Sequence, residues 1–392
     1  MPDCDVIVVG RGLIGSATAR QLANAGANVA LIGPGEPENN HTHNGLFGSH
    51  YDSGRIVRIL DPIPYSAQIS KASIEHYRPL EKLTGIGFYQ EVGFLVVTNN
   101  KYYYSDIEAV GKTFYPQAER IPQNELAERF PYFNFPADVK AIFQQTKAGH
   151  INPRKQIAAQ NKALEIYGGT VIDDVVFEIK QKDLVVSVRT NQEWIDSKKV
   201  ILATGAYANS GSIIPRKIDF GVVPHTIVLG EITMEQLPNL NGTPSLSYRY
   251  GSDPMRYIYF MPPILYPDGK FYIKIGHSNG DPMPNDMNTL TSWFQSDGDM
   301  EKVEWLSETL QNLLPDVKFA SLHSKSCVTT KSPTGKQFID QFDEKQIYAV
   351  LADNGQCAKS ADEVGYIASE FVMNGRFPDP YRRADFRIKY SA

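Results

Sequence analysis

The fold is decided by residues 5–33, DVIVVGRGLIGSATARQLANAGANVALIG. An apolar, β-branched run breaks into a segment whose Ala, Leu and Ile spacing favours a helix packed on a sheet, and a second apolar run, NVALIG, follows. Gly10, Gly12 and Gly15 stand in G-x-G-x-x-G register at the strand-to-helix turn. This order of strand, glycine turn, helix and strand predicts the first βαβ unit of a dinucleotide-binding fold.

Each of the three glycines has its own task in such a turn. Gly10 allows the tight turn, Gly12 lets a pyrophosphate approach the backbone, and Gly15 lets the helix lie close to the strand. The N-terminus of the helix adds free amides and a partial positive charge for the phosphates. We therefore expect a dinucleotide ligand.

The end of the second strand departs from the usual pattern. Gly33 stands where an Asp or Glu normally binds the adenosine ribose. Glu36 and Glu38 are alternatives for this contact, and both are equally well interpreted as solvated loop carboxylates. No arginine is placed at this strand end to meet a 2′-phosphate, which disfavours NADP.

Composition excludes several classes of function. A chain of 392 residues predicts two lobes or one domain with an inserted lobe, and a net charge of −5 gives no field that attracts nucleic acid or anionic lipid. Cys4, Cys327 and Cys357 form no C-x-x-C pair or Cys/His cluster, so neither a disulfide framework nor a metal site is indicated. The N-terminus has no signal-peptide pattern and no apolar run reaches transmembrane length, so we expect a cytoplasmic protein without a membrane partner.

The rest of the chain predicts a divided α/β (α+β) layout. Residues 149–179 read as a helix leading into a strand, and residues 198–211 as an apolar strand ending in a Thr-Gly turn, which extend the first domain. Aromatic segments with strand alternation cover residues 87–97, 220–232, 256–266 and 269–278. They predict a second, largely antiparallel sheet.

Five segments, in order and spacing, resemble the monomeric sarcosine oxidase family of D-amino-acid-oxidase-like flavoenzymes. They are GRGLIG (10–15), GSHYDSGRIVR (48–58), YIKIGHS (272–278), KSCVTT (325–330) with FID (338–340), and ADNGQCAKSADEVG (352–365). The resemblance implies a Rossmann-type FAD-binding domain and a sheet-based substrate domain. The first would comprise residues 1–88, 140–215 and 325–392, and the second residues 89–139 and 216–324.

The same resemblance implies the residues that contact FAD. They are Gly10, Gly12, Leu13, Ile14, Gly15, Ser49, His50, Arg55, Val176, Thr204, Gly205, Cys327, Gly355, Gln356 and Lys359. In the family, a cysteine matching Cys327 is joined to the flavin by a thioether, which requires an accessible thiolate near positive charge. The alternative interpretation of Cys327 is a small buried apolar side chain. Cys357 has no counterpart in the family, and there the buried interpretation holds.

Catalytic roles follow from the resemblance. It places Arg55 near the reacting edge of the flavin and Arg58 on the substrate carboxylate, with Lys359 as the second positive charge. Without the surrounding match, an R-x-x-R pair is typical of a solvated surface. Lys274 interrupts an aromatic strand and corresponds to a lysine that promotes reaction of reduced flavin with dioxygen; the alternative is an exposed edge-strand lysine.

The substrate pocket is predicted to differ from that of sarcosine oxidases. Tyr51 replaces a usual histidine, Thr329 replaces a usual tyrosine, and Gly355-Gln356-Cys357-Ala358 replaces Gly-His-Gly-Phe. Tyr257 and Tyr259 alternate on one strand face and either wall the pocket or belong to the core. A bulkier or cyclic amino acid, or an intermediate of a specialised pathway, is therefore at least as well supported as sarcosine.

The prediction is an FAD-dependent oxidase of a secondary, N-methylated or cyclic amino acid that reduces dioxygen to hydrogen peroxide. Two alternatives stay open: a dehydrogenase that uses another electron acceptor, and a flavoprotein partner subunit without amine oxidase activity. The expected partners are a small amino acid and dioxygen, without nucleic acid. The sequence leaves a monomer and a small homo-oligomer equally open.

Overall fold

Strands and helices alternate through the computed structural model, which describes residues 3–343 and 346–391. The strands are β1 (Cys4–Val9), β2 (Val29–Ile32), β3 (Arg55–Val57), β4 (Tyr89–Gln90), β5 (Phe94–Thr98), β6 (Glu119–Ile121), β7 (Lys140–Gln144), β8 (Gly149–Ile151), β9 (Thr170–Ile172), β10 (Glu178–Lys182), β11 (Val185–Arg189), β12 (Trp194–Leu202), β13 (Gly221–Ile232), β14 (Ser245–Arg249), β15 (Ile258–Leu265), β16 (Phe271–His277), β17 (Ser321–Lys331), β18 (Phe338–Gln341) and β19 (Ile347–Leu351). The helices are α1 (Leu13–Asn24), α2 (Pro64–Glu75), α3 (Tyr77–Thr84), α4 (Lys101–Phe114), α5 (Gln123–Arg129), α6 (Pro153–Ile166), α7 (Met287–Gln295), α8 (Met300–Leu313) and α9 (Cys357–Asn374).

The first sheet is built around β1, which pairs in parallel with β2 on one side and β12 on the other. Parallel pairing continues from β2 to β9 and from β12 to β19. The β10–β11 hairpin and β18 add antiparallel strands at the rims. This topology confirms the predicted Rossmann-type part of the fold.

β1 is buried on both faces, as a central parallel strand must be. Val6 and Val8 pack into the apolar cluster formed with α1 and α9. Ile7 and Val9 point to the opposite face of the sheet. There they pack in an apolar cluster with buried side chains of β11 and β12 and with the ring of Phe294. The β-branched run of the sequence is therefore buried from both sides.

The glycine turn after β1 brings α1 against the sheet. Gly10 has a φ of +115°, and a Cβ there would lie 2.3 Å from the carbonyl oxygen of Ala203. A Cβ on Gly15 would lie 1.8 Å from the carbonyl oxygen of Gly10. Only glycine permits this turn and this contact between helix and strand.

The second sheet has the strand order β17-β13-β16-β15-β14-β5-β7-β6. Its pairs are antiparallel except β14 with β5. One face packs on α8, where Leu306 and Leu310 meet Ile273 and Ile275 of β16. The predicted, largely antiparallel second sheet is confirmed.

The sheet membership of two strands differs from the one that the predicted domain boundaries imply. β7, assigned by sequence to the FAD domain, pairs with β5 and β6 and so belongs to the second sheet. β17 crosses the predicted boundary at residues 324 and 325, because it pairs with β13 along its length. The division into two domains stays a prediction, with both strands on the second sheet.

A third, small sheet has the order β3-β8-β4. It places Arg55 opposite Ile151 and carries the segment from Arg55 to Arg58 toward the cavity described below. Within residues 3–343 and 346–391, no helix combines the length and the apolar character that a membrane crossing requires.

Candidate active site

A cavity of about 840 Å³ is lined by residues from the first sheet, the small sheet and the second sheet. All but one of the residues predicted to contact FAD line it. They are Gly10, Gly12, Leu13, Ile14, Ser49, His50, Arg55, Val176, Thr204, Gly205, Cys327, Gly355, Gln356 and Lys359. The exception is Gly15, which lies beneath the turn and serves helix packing.

The end of the cavity next to α1 has the features that a dinucleotide needs. Gly12 caps α1 without any side-chain hydrogen bond, so the first amides of the helix are free for phosphate oxygens. A Cβ on Gly12 would meet no backbone atom within 4 Å, only the His50 ring at 3.6 Å. Thr204 lines the cavity, and its buried hydroxyl has no hydrogen-bond partner among residues 3–343 and 346–391. These residues fit FAD.

The missing ribose acid at Gly33 has a structural reason. A Cβ at Gly33 would lie 2.5 Å from the amide nitrogen of Arg11, so no side chain fits there. The Arg11 guanidinium reaches Asp173 at 3.0 Å, just after β9. Next to it, Asp174 lines the cavity, and its buried Oδ2 has no hydrogen-bond partner among the described residues. The carboxylate residue at this end of the cavity therefore comes from the segment after β9 and not from the end of β2.

Neither glutamate offered by the sequence takes this place. Glu36 forms a bidentate pair with Arg154, with both N–O distances at 2.6 Å, and Glu38 is exposed. Neither lines the cavity.

Tyr51 also lies at this nucleotide end rather than beside Arg58. Its hydroxyl donates to the carbonyl oxygen of Gly35 at 2.9 Å, and burial raises its pKa to about 12. Its ring packs against His50 with centroids 4.4 Å apart. Burial, and next the charge of Arg55, lower the pKa of His50 to about 3, so His50 is neutral at physiological pH.

Cys327 lies on β17, half-buried, and lines the cavity. Its carbonyl oxygen accepts a hydrogen bond from the Trp293 indole at 2.9 Å, and its backbone is opposite His225 of β13. Ser49 fixes the next residue, since its hydroxyl bridges the carbonyl and amide groups of Val328. Cys327 is thus a half-buried residue of the cavity wall, on a strand that is held by hydrogen bonds on both sides.

Arg55 and Lys274 share the carboxylate of Asp52. Both donate to Asp52 Oδ2, and both also donate to the carbonyl oxygen of Gly54 at 3.0 Å. Arg55 lines the cavity, whereas Lys274 is fully buried behind the wall. Burial, and next the charge of Arg55, lower the pKa of Lys274 well below its ordinary value.

Arg58 and Lys359 share a second carboxylate, that of Asp61. Lys359 Nζ lies 2.7 Å and Arg58 Nη2 3.0 Å from Asp61 Oδ2. Burial, and next the charge of Arg58, lower the pKa of Lys359 to about 8, against the pull of Asp61. Burial opposes ionisation of Asp61, but Lys359 and Arg58 hold its pKa below the ordinary value. All three side chains line the cavity.

The predicted pocket residues of the second sheet divide into two groups. Tyr259 and Thr329 line the cavity, and Thr329 is hydrogen-bonded to His225 at 2.9 Å. Tyr257 does not line it; this buried ring lies 5.4 Å from the guanidinium of Arg249. Tyr257 therefore supports a cavity residue instead of forming the wall.

A family model described as FAD dependent oxidoreductase (DAO) matches residues 5–370, which is most of the chain. The chain belongs to this family. The oxidoreductase is 24% identical over 394 residues to monomeric sarcosine oxidase of Arthrobacter sp. (strain TE1826), covering 95% of this chain and 93% of the relative. It is 23% identical to N-methyl-L-tryptophan oxidase of Yersinia pestis (strain Pestoides F) over 209 residues, 52% of this chain and 54% of the relative.

Solved structures confirm the fold of the oxidoreductase. NikD, described as an unusual amino acid oxidase essential for nikkomycin biosynthesis, superposes with a TM-score of 0.78 at 20% identity, over 99% of this chain and 98% of that chain. L-proline dehydrogenase from P. horikoshii gives 0.73 at 18% identity, over 97% and 96% of the two chains. The sequence-based resemblance to sarcosine oxidase-like flavoenzymes and the assignment as an FAD-dependent enzyme are confirmed.

The sequence did not lead us to predict the carboxylates that pair with the arginines and lysines of the site. Asp52 and Asp61 each lie three residues from a predicted functional arginine, Arg55 and Arg58 respectively. That spacing was a usable signal. No sequence pattern marked Asp174 or Arg249 as site residues. Both reach the cavity through the pairing of strands that are far apart in the chain, β9 with β2 and β14 with β5.

Proposed function

We propose that the protein oxidises the C–N bond of a secondary, N-methylated or cyclic amino acid to an imine. The substrate loses two electrons and two protons, and dioxygen takes up both to become hydrogen peroxide. The observation that carries this proposal is that Arg58 and Lys359 line the same cavity as the residues that fit FAD. The names of the relatives, sarcosine oxidase and N-methyl-L-tryptophan oxidase, support the class of substrate.

Arg58 and Lys359 are proposed to bind the substrate carboxylate. A guanidinium donates through a planar fork, and an ammonium adds a second positive charge, so the pair can orient an amino acid by its carboxylate. Because Asp61 already contacts both groups, the substrate carboxylate has to share them or displace Asp61. The Nε of Arg58 is buried and has no hydrogen-bond partner within the described part of the chain.

FAD supplies the two-electron redox chemistry when it is bound. We propose that Gly12, Thr204 and the start of α1 hold its phosphates, and that Asp174 takes the ribose contact that Gly33 cannot make. We also propose a thioether between Cys327 and the flavin. The half-buried thiol on the cavity wall supports this link, because attachment requires a thiolate that the ring can reach.

Dioxygen as the electron acceptor is supported by the charges behind Tyr259. The ammonium of Lys274 lies 5.8 Å from the Tyr259 ring centroid, and Arg55 lines the cavity beside it. Fixed positive charge stabilises the negative charge that develops on dioxygen as it is reduced. A dehydrogenase with another acceptor is favoured by one observation: Asp52 shares its carboxylate with both cations and weakens their field.

Anaerobic flavin reduction tests the proposal. The flavin-loaded protein is mixed, without oxygen, with a panel of N-methylated and cyclic amino acids of both configurations, and bleaching of the flavin absorption is followed. Bleaching by at least one of them, followed by peroxide formation on admission of air, is the expected result. Bleaching without peroxide identifies a dehydrogenase, and no bleaching by any member favours the partner-subunit alternative.

Arg58 gives the matching variant test. Arg58→Ala should raise KM and lower kcat for every carboxylate substrate, by about 100-fold in kcat/KM, because charge and orientation are both lost. Arg78→Ala is the matched control, since this exposed arginine also carries an aromatic contact but does not line the cavity. Unchanged kinetics in Arg58→Ala would remove Arg58 from the site.

A further inference from the structure

Arg249 lines the cavity at the end of β14, in a place that the proposed chemistry does not use. Strand alternation sets its direction: Leu246 and Tyr248 belong to the apolar cluster under the second sheet, while Ser247 and Arg249 face the cavity. Arg249 is opposite Thr98 of β5. Its position is therefore fixed by the sheet and not by a mobile loop.

The guanidinium of Arg249 is held by aromatic rings alone. It lies 3.8 Å from the ring centroid of Tyr103 and 5.4 Å from that of Tyr257. Its Nε is buried and has no hydrogen-bond partner, and within the described ranges no carboxylate lies at ion-pair distance from it. Stacking on the rings offsets part of the free-energy cost of this unpaired charge, and it leaves the planar donor fork unused.

The other arginines that line the cavity are paired. Arg11 contacts Asp173 at 3.0 Å, Arg55 contacts Asp52, and Arg58 contacts Asp61 at 3.0 Å. Within the described part of the chain, Arg249 is thus the cavity arginine that keeps its full charge for a ligand. An ordered, partly desolvated guanidinium with free donors is suited to a planar carboxylate.

Arg249 and Arg58 come from different sheets: Arg58 directly follows β3 of the small sheet, and Arg249 ends β14 of the second sheet. The Arg58 guanidinium lies 5.0 Å from the ring centroid of Phe94, at the start of β5. Thr98, opposite Arg249, is four residues further along the same strand, about 13 Å at the usual rise per residue. Arg58 thus contacts the start of β5, and the backbone of Arg249 pairs with its end, an arrangement that suits a substrate with two acidic groups.

We propose that Arg249 binds a second carboxylate of the substrate, distal to the C–N bond that is oxidised. The substrate class is then an N-substituted or cyclic amino acid with an acidic side chain. The inference rests on the proposed function, because it assumes that Arg58 and Lys359 bind the carboxylate next to the reacting carbon.

Matched acid and amide ligands test the assignment. The probes are N-methylaspartate, N-methylglutamate and N-methyl-2-aminoadipate of both configurations, each paired with its side-chain amide. Dissociation constants are measured on the flavin-loaded protein without oxygen, from the change in flavin absorption on binding, and bleaching is recorded separately. For at least one length, the acid should bind about 10- to 100-fold more tightly than its amide.

Variants assign that preference to Arg249. In Arg249→Gln, the dissociation constants of the acid and of its amide should become nearly equal. Arg249→Lys keeps the positive charge but not the planar donor fork, so it should retain part of the preference for the acid. The control is Arg256→Gln: Arg256 also stacks on an aromatic ring, that of Trp305 at 4.9 Å, but is exposed and does not line the cavity. It should leave the ratio unchanged.

The outcomes separate this inference from the proposed function. Equal binding of acid and amide by the wild-type protein at every length overturns the inference, whatever the variants do. Equal weakening of acid and amide in Arg249→Gln also overturns it, because Arg249 would then act on a group that both ligands share. Bleaching by the amides with no acid preference leaves the proposed function intact. An acid preference that depends on Arg249 without any bleaching supports the carboxylate subsite and contradicts the oxidase proposal.

Discussion

Lys359 donates a hydrogen bond to Asp61 at 2.7 Å, although 298 positions separate the two residues in the chain. Arg58 contacts the same carboxylate oxygen at 3.0 Å. The three groups together carry one net positive charge instead of two. Asp61 therefore lowers the net positive charge that a substrate carboxylate meets at the proposed site.

Binding of a carboxylate substrate should weaken as the pH rises through about 8. The pKa of Lys359 is lowered to about 8, so the ammonium is present below that pH and is lost above it. We expect KM to rise about 10-fold or more between pH 7 and pH 9.5, since one charged hydrogen bond is lost. Steady-state kinetics across this range, corrected for ionisation of the substrate amine, measure the effect.

Lys359→Met should show a high KM at every pH and lack this transition. Lys336→Met, which removes a lysine that lies outside the cavity, is the control and should keep it. Asp61→Asn should move the transition to lower pH, because the carboxylate that favours the charged lysine is gone. A transition that persists unchanged in Lys359→Met would assign it to another group.

Lys274→Met should slow reoxidation of the reduced protein by air about 100-fold and leave anaerobic flavin reduction close to that of the wild type. The physical reason is the loss of the buried amine that is paired with Asp52 behind the cavity wall and that, in its protonated form, stabilises negative charge on dioxygen. Stopped-flow absorption measures the two half-reactions separately. Lys270→Met is the control, because Lys270 precedes the same strand but is exposed and paired with Glu231. Equal slowing of both half-reactions would indicate a structural lysine.

Acid precipitation of the wild-type protein should leave the yellow colour in the pellet, because a thioether to Cys327 survives denaturation. Cys327→Ser should fold and release its flavin to the supernatant, since a hydroxyl is a far poorer nucleophile than a thiolate at neutral pH. Cys357 is half-buried and lines the cavity, contrary to the buried position expected from the sequence, and Cys357→Ser should behave as the wild type. Release of all flavin by the fully loaded wild-type protein would contradict the thioether.

Two glycines of the first turn should respond differently to alanine. Gly12→Ala should leave the thermal unfolding of the flavin-free protein nearly unchanged but lower the affinity of the protein for FAD. The new Cβ meets no protein backbone within 4 Å, and Gly12 caps the helix end that is proposed to hold the phosphates. Gly15→Ala should destabilise the flavin-free protein, because its Cβ would clash with the Gly10 carbonyl at 1.8 Å. Calorimetry of the flavin-free proteins measures the thermal stability, and titration with FAD measures the affinity. Equal loss of stability in both variants would remove this distinction.

The dinucleotide-binding unit and the family could be predicted from the amino-acid sequence. The alternation of β-branched run, glycine turn and helix is a local pattern, and local patterns follow from backbone geometry and periodicity. The five family segments singled out Arg55, Arg58, Cys327 and Lys359, and these residues line one cavity. These residues could be identified although they are far apart in the chain, because each family segment is identified by its own residues.

The tertiary structure alone decided which charges are neutralised and which are free. Asp52 and Asp61 reach Lys274 and Lys359 only because β16 and α9 fold back onto the segment before α2. Tyr257 supports Arg249 instead of walling the pocket, because β14, β15 and α4 meet there. An ion pair or an unpaired guanidinium is set by distances across the fold, and no single segment of sequence encodes those distances.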